Sequence, residues 1–163
     1  MTPTREQILE IVSQVMDPEV PVISVVDLGI VRDVRISEGD VEIDITPTYS
    51  GCPAMQTIEG EIIEALKQHG FESVTIKTVF SPPWTTEWMS QEARRKLKAY
   101  GIAPPGKRID NEPFGPRADL SSIACPFCES ADTRLTSEFG STACKSLHFC
   151  NGCQQPFEHF KCH

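Results

Sequence analysis

Apolar residues in the first hundred positions recur with two different spacings. Three segments carry an apolar stripe every three or four residues, which predicts amphipathic helices: 4–16, a second that starts near Pro53, and a third that is capped by Thr86 and stopped by Gly101. Three shorter segments alternate apolar and polar residues, which predicts strands: 31–36, 41–45 and a third that contains Val74 and Ile76. The predicted order is therefore α-β-β-α-β-α.

The regular pattern stops after Gly101, and six proline and glycine residues then punctuate a polar stretch: Pro104, Pro105, Gly106, Pro113, Gly115 and Pro116. This composition is typical of a linker. We therefore predict a domain over 1–100, a linker over 101–122 and a cysteine-rich module over 123–163. The fold class is α+β, a small α/β sandwich domain followed by a zinc-ribbon-like module, since a piece of about 40 residues rarely folds without a metal or disulfides.

Composition narrows the class of protein. The formal net charge is −8, which disfavours nucleic acid as a partner because such binding depends on clustered Lys and Arg. No apolar run approaches the roughly 20 residues of a membrane span. The first residues are polar where a secretory signal would need an apolar stretch. We therefore expect a cytoplasmic protein that binds neither nucleic acid nor membranes.

Four cysteines in the tail form two CxxC pairs, separated by 21 residues: Cys125, Cys128, Cys150 and Cys153. Cytosolic thiols stay reduced, so dense cysteine there points to metal or redox chemistry. Two CxxC turns can complete a tetrahedral site, which suits structural zinc; an iron–sulfur cluster could use the same thiolates. We expect Gly152 to ease the second turn by accepting left-handed backbone angles. A thiol oxidoreductase is the alternative for either pair.

Two further tail cysteines are surplus to this set. Cys144 and Cys162 could each replace one of the four ligands. They could also form a second, looser site with His148, His159 or His163, or they could be free thiols in or near the ribbon.

Cys52 stands apart from the other cysteines, in a loop between a predicted strand and a predicted helix. Proline is favoured at the first helical position, so Pro53 places Cys52 at the N-cap or just before it. Helix N-termini favour the thiolate, and we therefore expect a lowered pKa for this thiol. A thiolate there could attack electrophiles or hold a metal or cluster transiently. A half-buried structural cysteine is the alternative.

A second candidate loop carries three carboxylates, Asp17, Glu19 and Asp27, which could assist a metal beside a thiol. Asp17 and Glu19 could equally be turn and capping residues, since Asp17-Pro18-Glu19 is predicted to end the first helix. All four histidines lie at His69 or in the tail, so no Cys-His pattern surrounds Cys52. We therefore expect a protein that is not an enzyme.

At these loops the sequence resembles a known family. DPEVPVISVVDLGIVRDV and TPTYSGCPAM are similar to the small domain of iron–sulfur assembly factors, including bacterial SufT and the eukaryotic cytosolic targeting factor. The family's reactive cysteine falls on Cys52, and its acidic loop falls on Asp17-Pro18-Glu19 with Asp27. With PPWTTEWMS and the tail segments CPFCES, FGSTACK and CNGCQQPFEHFKC, the whole chain resembles the PaaD family of the phenylacetate-degradation system.

The resemblance implies a role beside the multicomponent phenylacetyl-CoA epoxidase, which carries iron and iron–sulfur centres. We expect a maturation factor that delivers or inserts iron or a cluster, held transiently, with epoxidase subunits and iron–sulfur assembly proteins as partners. A structural or regulatory subunit that binds the epoxidase and transfers nothing is the alternative, and a thiol oxidoreductase is a second one.

Overall fold

The computed structural model describes residues 3–49, 51–106 and 123–161. It divides into two compact units, Met1–Ala93 and Arg94–His163. The division falls inside a helix that spans Gln91–Tyr100. No helix among the described residues is long and apolar enough to cross a membrane.

The first unit is a three-stranded sheet covered by helices. Its elements in chain order are α1 (Arg5–Val12), β1 (Met16–Asp17), β2 (Val20–Ser24), β3 (Val31–Ser37), β4 (Asp40–Ile45), α2 (Ala54–Gln68), β5 (Val74–Thr78), a 3₁₀ turn (Thr86–Trp88) and the start of α3 (Gln91–Tyr100). The sheet order is β3-β4-β5, with β3 antiparallel and β5 parallel to the central strand β4. Helices α1 and α2 pack against each other and against the sheet strands β3 and β5.

The core of this unit follows from the two apolar spacings. Ile43 and Ile45 alternate along β4, and Ile58, Ile62 and Leu66 recur along α2; each is at most 1% exposed. These five positions, predicted from periodicity, are buried because period 2 and period 3.6 place their side chains on one face. The predicted strand residues Val74 and Ile76 on β5 are only partly buried.

The first helix is shorter than predicted, and a hairpin replaces its end. It stops at Val12, and β1 pairs antiparallel with β2. The Asp17 carboxylate accepts hydrogen bonds from the N–H groups of Glu19 (2.7 Å) and Val20 (3.2 Å). The residues that were expected to end a helix therefore form the turn of a hairpin.

The cap of the third helix also differs from the prediction. Thr86 is buried and starts the 3₁₀ turn, whereas α3 starts at Gln91, where the N–H of Ala93 donates to the Ser90 hydroxyl (3.0 Å). A hydroxyl that satisfies a first-turn N–H is the usual N-cap arrangement. The predicted stop at Gly101 is confirmed by its left-handed φ of 92°.

The second unit contains the end of α3 and a four-stranded sheet. Its strands are β6 (Ile102–Ala103), β7 (Thr133–Ser137), β8 (Lys145–Cys150) and β9 (Pro156–Phe160), in the order β6-β9-β8-β7. Strand β6 runs parallel to β9, and the other pairs are antiparallel. A small core joins Ala103, Cys125, Cys150 and Phe157.

The limits predicted for the domains and the linker stay predictions. Residues 107–122 of the predicted linker 101–122 lie outside the described residues. Ile102 and Ala103, also within it, form strand β6 beside β9. Two buried apolar residues are too short a pattern for periodicity to detect.

Candidate functional site

Four sulfur atoms converge at the base of the ribbon. The Sγ atoms of Cys125, Cys128, Cys150 and Cys153 all lie within 4.8 Å of one another. The Cys125–Cys153 separation is 3.7 Å and the Cys128–Cys150 separation is 3.5 Å. Both are far longer than the roughly 2.05 Å of a disulfide. Tetrahedral zinc with Zn–S bonds of about 2.3 Å requires sulfurs about 3.8 Å apart. The four thiols therefore fit structural zinc.

Each CxxC pair is followed directly by a residue with left-handed backbone angles. Glu129 follows the first pair with a φ of 63°, and Gln154 follows the second with a φ of 60°. In the first turn, the N–H of Cys125 donates to the carbonyl of Ser130 (2.9 Å). In the second, the N–H of Cys150 donates to the carbonyl of Gln155 (2.9 Å). The two turns are therefore alike, although the sequence places no glycine at either left-handed position.

Gly152 has a different role from the predicted one. Its φ lies outside the left-handed region. A Cβ on Gly152 would instead lie 3.1 Å from both the Cβ and the Oγ of Ser130, which is tighter than ordinary van der Waals contact. Lack of a side chain, not backbone freedom, explains the glycine.

Hydrogen bonding and burial shift the pKa values of the two cysteines in the second pair in opposite directions. The N–H of Cys153 donates to the sulfur of Cys150 (3.4 Å). This bond, with others to the same sulfur, lowers the pKa of Cys150 to about 7, whereas burial raises the pKa of Cys153 to about 12. A bound divalent cation favours the thiolate at every ligand, so the structure supplies part of that stabilisation at Cys150 in advance.

The structure brings Cys52 together with two of the three predicted carboxylates. The half-buried thiol lies just ahead of α2, where Pro53 is the N-cap. The Ala54 N–H and the Tyr49 side chain hydrogen-bond to it, and the charges of Glu19 and Asp17 act on it. The elements that meet here are the β1–β2 hairpin and the loop between β4 and α2.

The expected lowering of the Cys52 pKa is wrong. Burial, together with the negative charges of Glu19 and Asp17, raises the pKa of this thiol, and the hydrogen bonds from Ala54 and Tyr49 oppose the rise only in part. The position of Cys52 at the start of a helix had predicted a lowered pKa. The acidic hairpin lies more than 30 positions earlier in the chain, so its effect on the thiol depends on the tertiary fold.

Asp27 belongs to a different cluster. Its carboxylate accepts a hydrogen bond from the Ser90 hydroxyl (3.1 Å), and its N–H donates to Ser24 (3.0 Å). It is not among the groups that shift the Cys52 pKa. The carboxylate therefore helps to hold the cap of α3.

Tyr49 is the residue of this site that sequence reasoning missed. It lies three positions before Cys52, and its side chain is a hydrogen-bond partner of the thiol. The position of a tyrosine inside the cysteine loop is a weak signal, because loop geometry decides whether its hydroxyl turns toward the thiol.

The surplus tail residues divide between described and undescribed parts of the chain. Cys144 is buried just before β8, and its sulfur lies 3.0 Å from the Thr142 hydroxyl. His148 and His159 are buried on β8 and β9. Cys162 and His163, the other members of the predicted looser site, lie outside the described residues.

Comparison with known proteins matches each part of the chain to a family. Residues 5–78 match the model of the iron–sulfur cluster assembly protein family. Residues 110–161 match the PaaD zinc beta ribbon domain. The fold and the cysteine cluster thus define a protein in which an iron–sulfur assembly domain precedes a zinc ribbon.

Three similar proteins illustrate these matches. The chain is 45% identical over 161 residues to an Escherichia coli protein described as a "Putative 1,2-phenylacetyl-CoA epoxidase" component, covering 98% of this chain and 94% of that protein. It is 36% identical to an Fe-S protein maturation auxiliary factor of Porphyromonas gingivalis, covering 58% of this chain and 90% of the relative. A domain of unknown function from Bacillus anthracis superposes with a TM-score of 0.54 at 29% identity, covering 56% of this chain and 89% of that one.

The near full-length match to the Escherichia coli protein decides the family. The chain belongs to the PaaD family.

Proposed function

We propose that this protein is a non-catalytic accessory factor that assists assembly of the iron or iron–sulfur centres of a phenylacetyl-CoA epoxidase in aerobic phenylacetate degradation. Its cargo, an iron ion or a preformed cluster, binds at Cys52, and the negative charges of Asp17 and Glu19 favour a cation there. The observation that carries the proposal is that the charges of these two carboxylates act on the Cys52 thiol. It occurs inside the unit that matches the iron–sulfur cluster assembly family.

The charge balance around Cys52 favours a cation. Without one, burial and the two carboxylates keep the thiol protonated, which protects it from oxidation because the thiolate is the reactive form. A cation of two or more positive charges would reverse that balance, since it neutralises the carboxylates and releases the thiol proton. The same groups that suppress the free thiolate therefore stabilise an iron-bound one.

Partial exposure suits a transfer step. Cys52 is half-buried, whereas Asp17 is only 7% exposed. A partly exposed thiol can reach a partner's ligand, and the Asp17 carboxylate stays fixed by its hydrogen bonds to the β1–β2 turn. The proposed partners are the epoxidase subunits that receive the centre and the iron–sulfur assembly proteins that supply it.

The ribbon is proposed as the structural half of the molecule. Its zinc would hold a small module whose core includes the ligands Cys125 and Cys150 themselves. Such a site is closed, with all four positions taken by protein. Transfer chemistry is therefore assigned to Cys52 and not to the ribbon.

Maturation in cells tests the proposal. The epoxidase is co-expressed with the parent protein or with Cys52→Ala, purified, and assayed for iron content and epoxidation rate. We expect less iron and at least a severalfold lower rate with the variant. Thr57→Ala, an exposed position on the first turn of the same helix, is the matched control. Equal maturation by parent and variant would favour the alternative of a structural or regulatory subunit.

Alkylation of the purified protein tests the electrostatics without a partner. Glu19→Gln removes a charge that raises the Cys52 pKa, so the pKa should fall and alkylation of the Cys52 peptide at neutral pH should become faster. Glu87→Gln, an exposed acidic residue of the 3₁₀ turn, should leave the rate unchanged. Mass spectrometry of the peptide measures the rate. Equal rates in the two variants would show that Glu19 does not act on the Cys52 thiol.

A further inference from the structure

Two histidines lie side by side on the buried face of the ribbon sheet. His148 is on β8 opposite Phe157, and His159 is on β9 opposite Ser146. Side chains alternate between the faces of a sheet, so the two imidazoles share one face. Their exposures are 0% and 1%, their ring centroids are 5.6 Å apart and the rings are perpendicular, at 86°.

Three ring nitrogens of this pair have no hydrogen-bond partner within the described part of the chain. They are Nδ1 of His148 and both nitrogens of His159. Buried polar atoms are nearly always satisfied, and an exception calls for a bound water, an ion or a functional role. The fourth nitrogen, Nε2 of His148, lies 2.9 Å from the Ser146 hydroxyl. That contact fixes the ring and leaves Nδ1 as its open donor atom.

We propose that His148 and His159 form a second metal site, distinct from the four cysteines, that binds a divalent first-row transition ion such as Zn²⁺ or Fe²⁺. Metal–imidazole bonds are about 2.0–2.1 Å long. Two rings that share an ion therefore have centroids about 5–6 Å apart, which the observed 5.6 Å matches. Imidazole donors suit these ions, whereas Mg²⁺ and Ca²⁺ require oxygen.

The surroundings of the pair agree with this assignment. The His148 ring stacks on Phe157 at 5.5 Å, and the Ser146 hydroxyl orients it, as groups outside the coordination sphere orient metal-binding histidines. Burial, together with the charges of His148 and Lys161, lowers the pKa of His159 to about 4, so its ring is neutral and its lone pair is available at neutral pH.

The pair supplies only two ligands. Among residues 3–49, 51–106 and 123–161, the ribbon cysteines are the one group of three or more donors close enough to hold a single ion. An ion on the histidines would complete its coordination with water or with a donor from outside this pair. Such a site binds more weakly than four thiolates and exchanges its ion more readily. The proposal is independent of the function assigned to Cys52.

Zinc titration of the full-length protein tests the site. Protein already loaded with one zinc is titrated calorimetrically with Zn²⁺, and the metal content is measured after desalting. We expect a second equivalent in the parent protein. In His148→Gln and His159→Gln its affinity should fall at least tenfold, while the first zinc stays. His69→Gln, whose ring lies on the exposed end of α2 in the other unit, is the matched control and should bind like the parent.

Nuclear magnetic resonance of the unsubstituted protein gives a readout that does not depend on how the variants fold. Addition of Zn²⁺ to the one-zinc protein should shift the ring ¹⁵N resonances of both His148 and His159 and leave those of His69 unchanged. Absence of a second equivalent in the parent, or unmoved ring resonances at saturating Zn²⁺, overturns the proposal. Undiminished affinity in both glutamine variants does so as well.

Discussion

In the described part of Met1–Ala93 the largest fully buried side chains are aliphatic, whereas in the described part of Arg94–His163 the small core contains two of the cysteines that converge on the proposed zinc. Ile43, Ile58 and Ile62 are representative of the first unit, each at most 1% exposed. Cys125 and Cys150 are at most 1% exposed in the second, beside Phe157. The aliphatic core of the sheet unit favours folding by burial, and we expect the ribbon to require a metal as well.

This difference suggests that the ribbon cysteines serve stability and that Cys52 serves the proposed function. The ribbon uses cysteine to hold itself together, so its four thiols are committed to one ion. We expect the sheet unit to fold without a metal, and its single cysteine, Cys52, is the proposed cargo site. A substitution in one unit should therefore leave the stability and metal content of the other unchanged. The following variants test that expectation in order of decreasing effect.

Cys128→Ser should have the largest effect. Cys128 is the exposed member of the four cysteines, so its replacement removes a ligand with little loss of packing. In small zinc modules the metal supplies about 10–16 kcal/mol of folding free energy. We expect zinc content to fall from about one per chain toward zero and the amides of β7–β9 to lose protection from hydrogen exchange, with β3–β5 unchanged.

Cys52→Ser is the control for that variant, because it removes a thiol but no ribbon ligand. Zinc content and ribbon protection should equal those of the parent. Loss of zinc in the control, or retention of zinc and a protected ribbon in Cys128→Ser, would contradict the division of labour between the cysteines.

Ile62→Ala should destabilise only the sheet unit, by about 2–5 kcal/mol, because a buried aliphatic side chain is lost and a cavity remains. Both tryptophans, Trp84 and Trp88, lie in this unit, so their fluorescence during urea unfolding reports on it alone. Zinc content should stay at one per chain. Gln56→Ala, exposed on the same helix, should change the unfolding free energy by less than about 0.5 kcal/mol.

These two variants also divide what sequence could predict from what it could not. The 3.6-residue period placed Ile62 in the core, and CxxC spacing placed Cys128 among the metal ligands, because both signals are local. The β1–β2 hairpin was missed because an Asp-Pro sequence such as Asp17-Pro18 is typical both of a helix end and of a hairpin turn. The raised Cys52 pKa was missed because Glu19 reaches the thiol only through the fold.

Gly29→Ala should have an intermediate effect. Gly29 has a φ of 80°, and a Cβ there would meet the carbonyl oxygen of Trp88 at 2.7 Å and its Cβ at 2.8 Å. The cost combines left-handed strain with a clash against backbone, and we expect about 2–4 kcal/mol. Tryptophan fluorescence measures it, since Trp88 is the residue displaced.

Gly70→Ala isolates the part of that cost that is due to the clash. Gly70 has a similar φ of 89°, but nothing lies within 4 Å of an added Cβ. Only the backbone strain of about 1–2 kcal/mol should appear. Equal losses in the two variants would show that Trp88 moves away without cost.

Gln154→Gly should have the smallest effect, and it should stabilise. Gln154 holds a φ of 60° at the end of the second CxxC turn, a conformation that costs a residue with a Cβ about 1–2 kcal/mol. Glycine removes that strain but adds freedom to the unfolded chain, so the net gain should be about 0.5–1 kcal/mol. Because metal binding and folding are coupled, competition with a zinc chelator should show affinity raised about two- to fivefold. Gln155→Gly, one position further at an exposed residue without positive φ, has no strain to relieve and should lower the affinity. If both glycines weaken zinc binding equally, the left-handed turn stores no strain, and the ribbon is limited by its metal alone.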